Sequence, residues 1–142
     1  MTRWIVGIML GACGAVGDRA ALAAQGSLPG AADRARHAWL AHDPQAFVGQ
    51  SGRVVLQIPG ADASSSLDRA QAIELLRRHW GAAVERSLTV SATREVAAGK
   101  GYVELARRYV VSGTADERRE TLFLAFRKIG EEWVLVELRS AP

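Results

Sequence analysis

The sequence predicts an α+β domain, with a curved antiparallel sheet of four to five strands wrapped around N-terminal helices in a cone. Three observations predict it. Apolar residues recur at helical spacing from Ala31 and again after Asp68. From Arg86 onward they recur at every second position. Glycine-bearing turns cut that second half into four long strands. An antiparallel sheet covered by helices on one face is a stable layer arrangement. A chain of 142 residues, 49% of them hydrophobic and 23% charged, suffices for one core.

The first residues are not expected to belong to that core. Arg3 precedes an apolar run from Trp4 to Val16, and Ala21 and Ala23 supply small residues of the kind a signal peptidase accepts. The expectation is a signal peptide over residues 1–23, a linker over 24–30 and the cone domain over 31–142. The location that follows is periplasmic or secreted. The apolar run is too short to span a membrane. A rival reading takes Leu10-Gly11-Ala12-Cys13 as a lipidation site that makes the chain a lipoprotein anchored at Cys13. Cys13 is the only cysteine. The domain is therefore expected to hold no disulfide, thiol nucleophile or cysteine metal site.

Ala31, Ala35, Ala38, Trp39 and His42 make the stripe of the first helix. Asp43-Pro44 interrupts it, with Asp43 as cap and Pro44 as first residue of a short helix ending at Gly49. Val54 to Ile58 is β-branched and apolar and stops at Pro59-Gly60, which reads as the first strand. Residues 61–66 read as a loop, with a short strand at its end. Asp68 with Gln71 has the form of a capping box, and the helix behind it carries Ile73, Leu76 and Trp80 on one stripe before Gly81. Strands follow from Arg86, over Tyr102 to Ser112, over Glu120 to Lys128 and over Trp133 to Arg139. Gly99 and Gly101 are read as turn glycines between the first two. Leu122, Leu124, Phe126, Val134, Val136 and Leu138 are expected to face the helices. Phe123, Trp133 and Leu135 are expected on the outer face, where a homodimer partner would cover them.

The formal charge of +3 rests almost wholly on arginine, since lysine occurs only at Lys100 and Lys128. The arginine pairs are scattered, so no nucleic-acid partner is expected. The three histidines, His37, His42 and His79, do not suggest a metal site, and no cofactor is expected. Glu104 and Glu137 are placed on the outer face, paired with Arg108 or Arg127. Arg107 shares strand parity with Leu105 and Tyr109. It is expected to snorkel to the sheet edge, the other reading being an anion site at the cavity mouth.

In this order the chain resembles the nuclear-transport-factor-2-like superfamily, which includes ketosteroid isomerase and the SnoaL-like cyclases. The stretches that carry the likeness are AHDPQAF, VVLQIPG, SLDRAQAIELLRRHW and the four-strand run closing at EEWVLVEL. It is most similar to small secreted bacterial domains of unknown function. The resemblance implies a catalytic aspartate just before the proline that ends the first strand, and that place holds Ile58. It implies a tyrosine in the first helix, and that place falls on Arg34, Ala35 or Arg36. Neither can do the acid–base chemistry required. The reading is thus a non-catalytic domain with no catalytic residue assigned, which can bind a small hydrophobic ligand in its cavity. The expected lining is Trp39, Phe47, Leu56, Ile58, Trp80, Tyr109, Phe126 and Leu138, with His42 and Arg107 as its polar members. The alternatives are an isomerase, cyclase or dehydratase using His42 or Tyr109, and an envelope interaction module whose interior is closed by Trp39 and Trp80.

Overall fold

A computed structural model describes residues 26–59 and 65–142. The expected signal segment, Cys13 and the tip of the 61–66 loop lie outside the described residues.

The elements are α1 (Leu28–Leu40), α2 (Pro44–Val48), β1 (Arg53–Gln57), β2 (Ser66–Asp68), α3 (Arg69–Trp80), β3 (Ala83–Ala97), β4 (Lys100–Val111), β5 (Glu117–Ile129) and β6 (Glu132–Ala141). Helix α1 begins inside the stretch expected as linker. Ser27 is its cap, the Gly30 N–H donating to Ser27 Oγ at 3.1 Å, and Pro29 sits in the first turn where its missing N–H costs nothing. Asp43 and Pro44 start α2 as expected, with the Ala46 N–H donating to Asp43 Oδ1 at 3.0 Å. The capping box of α3 is reciprocal. The Gln71 N–H donates to Asp68 Oδ1 at 2.9 Å and the Asp68 N–H to Gln71 Oε1 at 3.1 Å.

The sheet has six strands in the order β2-β1-β6-β5-β4-β3. It exceeds the expected four to five because the three-residue β2 pairs with β1. All neighbours are antiparallel except β1 and β6, which run parallel. Helices cover one face, and β3 is an open edge.

Bulges bend the sheet into a cone. In β3 the residues Arg86, Ser91 and Val96 are each an extra residue against β4, and in β6 Val136 is the extra residue against β5. The β6 bulge corrects the expected face assignment. Trp133 and Leu135 point into the core with Leu138, while Val134 and Val136 are only partly covered. A single extra residue shifts the parity of the strand, so the alternation read from Trp133 onward changes face at Val136.

Gly101 is not a turn residue. The turn is Ala98-Gly99, with Gly99 at φ 74°, and Gly101 lies inside β4. Its missing side chain makes room for α1. A Cβ there would lie 2.7 Å from Leu28 Cδ1 and 3.3 Å from its Cγ. Gly101→Ala is expected to destabilise the fold by about 1 kcal/mol, the small cost of overpacking a site whose neighbour can turn aside. Urea unfolding of the double-mutant cycle checks this. Leu28→Ala should cost clearly less in the Gly101→Ala background than alone.

Candidate functional site

A polar cluster lies against an aromatic one where the helices meet β3, β4 and β5. Trp39 from α1, Phe47 from α2 and Trp80 from the last turn of α3 meet edge to face, at centroid distances of 5.4, 4.9 and 5.7 Å. Such geometry suits the ring quadrupoles. Trp39 and Trp80 are at most 1% exposed.

Against Trp39 lies Arg107 of β4, 2% exposed. Its Nε and Nη2 donate to the two oxygens of Glu85 on β3, at 2.9 and 2.5 Å. Its Nη1 donates to Glu120 of β5 at 2.5 Å. The guanidinium carbon stands 4.9 Å from the Trp39 ring centroid and 3.9 Å from that of Tyr109. Trp39 Nε1 donates to Glu85 at 3.1 Å. Register explains the arrangement, because Arg107 pairs directly with Glu120 across β4–β5 and Tyr109 with Glu85 across β3–β4. Burial pulls the guanidinium pKa down. The hydrogen bonds and charges of Glu85 and Glu120 outweigh it, so the net direction is up. Arg107 therefore stays inside, and the expectation that it snorkels to the edge is corrected. Paired by two carboxylates, it need not reach water.

His42 follows α1 in the left-handed region, with φ 51°, which no other non-glycine residue among those described adopts. Its ring stacks on Trp80 at 5.7 Å, and its Nε2 lies 3.5 Å from Glu85 Oε1. His79 of α3 faces the edge of Trp39 at 6.3 Å. Its pKa is lowered, first by burial and then by Arg107, with Glu120 and Glu85 opposing. A histidine that resists protonation when folded carries a stability penalty as the unfolded chain takes up its proton. Stability should fall as pH drops below about 6.5, where unfolded histidine titrates. His79→Phe should flatten that loss in denaturant midpoints measured from pH 7 to 5.

The expected lining residues do not share one cavity. Trp39, Leu56, Trp80 and Leu138 are packed in the core. Phe47 and Phe126 lie on a groove of about 980 Å³ between α1–α2 and the β5–β6 hairpin, together with Ala35, Trp133 and Leu135. Ile58 and Tyr109 line a separate depression of about 630 Å³ with Arg118 and Glu120. Ile58 is 4% exposed, and of the three α1 positions tied to a catalytic tyrosine only Ala35 is buried. On the outer face Glu137 accepts from Gln57 Nε2 at 3.0 Å, and Arg108 pairs with Glu117 at 2.6 Å. Both replace the pairings expected for those residues. No group of three or more metal-ligating side chains occurs among the described residues, nor any helix long and apolar enough to cross a membrane.

A six-stranded, bulged sheet curled over three helices has close structural parallels. A ketosteroid-isomerase-like protein from Erwinia carotovora superposes with a TM-score of 0.67 at 15% identity, over 81% of this chain and 95% of its own. The chain has the nuclear-transport-factor-2-like fold. A hypothetical protein of ketosteroid-isomerase-like fold from Catenulispora acidiphila, in complex with trimethylamine, gives 0.62 at 17% identity over 82% and 87% of the two chains. A nuclear-transport-factor-2-like protein of unknown function from Shewanella oneidensis gives 0.55 at 14% over 80% and 95%. No protein-family model and no curated protein matches the sequence.

Glu85 and Glu120 are the functional-looking residues that sequence reasoning missed. The available signal was Arg107 itself, since an arginine at inward parity asks for inward acids on the neighbouring strands.

Proposed function

We propose that this nuclear-transport-factor-2-like domain is a non-catalytic recognition module, exported to the periplasm or beyond, that works as a homodimer through its outer sheet face. The observation that carries the reading is the filled interior. Trp39, Trp80 and Arg107 pack the interior at no more than 2% exposure, and Ile58 stands where the resemblance implies a general base. Recognition then falls to the surface.

The outer face supports a second copy as its cover. Tyr102 is 50% exposed and sits beside the half-buried Phe123 in a shallow depression rimmed by Arg94, Arg139 and Glu104, with Glu137 beyond. Bases and acids flank one apolar centre, so a two-fold axis can pair unlike charges. Four strands about 4.8 Å apart, each roughly ten residues long, cover about 600 Å² per subunit. That approaches the roughly 800 Å² per partner of a standard interface.

A second reading keeps the small hydrophobic ligand but moves it to the groove beside α1, whose floor includes Phe47, Phe126 and Trp133. Native mass spectrometry of the mature protein from its own envelope fraction separates the two. A bare dimer is expected. A stoichiometric small-molecule adduct would replace the module by the carrier, and a bare monomer would remove the homodimer. A diacylglyceryl mass on Cys13 would make the chain a lipoprotein.

A further inference from the structure

The cluster around Arg107 has the composition of a ligand site. Two carboxylates present their oxygens to the edges of one planar cation, two aromatic rings lie within cation–π distance of it, and Trp39 Nε1 orients one of the carboxylates. The groups come from four elements: Trp39 from α1, Glu85 from β3, Tyr109 from β4 and Glu120 from β5. The cation, Arg107, comes from β4 as well. Counting Arg107, the cluster still carries one excess negative charge, and His79 beside it is held toward its neutral form. A site of this kind selects cations over anions. Its forked acceptors select a guanidinium over an ammonium, because only the planar fork satisfies both oxygens of Glu85 and reaches Glu120 as well.

We propose that the cluster formed by Trp39, Glu85, Tyr109 and Glu120 is a guanidinium-recognition site that the chain fills with its own Arg107. The inference does not rest on the recognition-module reading. It concerns what the interior is built to hold, and it stands whether or not the surface binds a partner.

The test is chemical replacement of the tethered group. Arg107→Ala deletes the equivalent of ethylguanidinium and leaves the cage walls in place. Thermal unfolding of this variant is measured with ethylguanidinium chloride from 0 to about 50 mM, against sodium chloride and ethylammonium chloride of equal ionic strength. The expected result is a saturable rise in Tm of roughly 5 °C with ethylguanidinium, little with ethylammonium and none in the parent protein. A rise no larger than with sodium chloride would overturn the proposal. So would an equal rise with ethylammonium, or a saturable rise in the parent. If the variant does not fold in buffer, it is refolded with ethylguanidinium present. Recovery of the native fold supports the site, and failure to recover it counts against it. Arg107→Ala combined with Glu85→Gln and Glu120→Gln removes both negative charges and one acceptor oxygen from each side chain, and it should fold without any dependence on the guanidinium. Equal rescue of that triple variant would show that the carboxylates do not form the site.

Discussion

Arg107→Met is expected to lower folding stability by about 3–5 kcal/mol. The methionine roughly matches the aliphatic stem, so the cost is not chiefly one of volume. It comes from Glu85 and Glu120, whose side chains are 6% and 11% exposed. Both would stay buried without the guanidinium that now donates to them. A buried ion cluster is often neutral or unfavourable as a whole, yet breaking it from one side is strongly unfavourable. The two effects can be separated. Adding Glu85→Gln and Glu120→Gln to Arg107→Met should restore most of the loss in urea unfolding. A single variant as stable as the parent would mean that the carboxylates escape to water, and that the cluster is not closed.

Trp39→Ala is expected to cost a similar amount, about 3–5 kcal/mol, by a different route. Trp39 is fully buried and touches the rings of Phe47, Trp80 and His79, so its loss leaves a cavity that three elements cannot jointly collapse into. Trp39→Phe separates packing from hydrogen bonding. It keeps most of the ring contact but removes the donor to Glu85, and about 1–2 kcal/mol should be lost. Chemical denaturation of both variants gives the comparison. If the phenylalanine variant lost as much as the alanine variant, the bond to Glu85 would dominate and the aromatic cluster would count for little.

What could be read from the sequence was what depends on near neighbours. Asp43 with Pro44 and Asp68 with Gln71 are contacts within four residues, and both caps form as their spacing predicts. Helix stripes, turns and the approximate strand limits are local in the same sense. The fold class follows from their order. The errors arise where distant segments meet. The bulge at Val136 is set by how β6 must bend against β5, so a simple alternation along β6 assigned Trp133 and Leu135 to the wrong face. Gly101 looked like a turn residue because the chain approaching it, at Leu28, lies more than seventy positions away. The inward parity of Arg107 is legible in its strand, but its partners sit on two flanking strands whose register no local pattern reveals. The lining expected for one cavity was divided for the same reason. Trp39 and Trp80 are large enough to meet across the space that would separate them in an open cone.

The bulges of β3 also govern what the molecule avoids. A fifteen-residue strand at the rim of a sheet offers a row of unsatisfied amides and carbonyls, the template on which chains stack into fibrils. Here only four residues separate one extra residue from the next. An incoming strand would lose register almost as soon as it gained it, and it would meet the charges of Arg86, Arg94 and Glu95 along the way. The irregularity that curls the sheet over its helices thereby guards the chain against uncontrolled polymerisation.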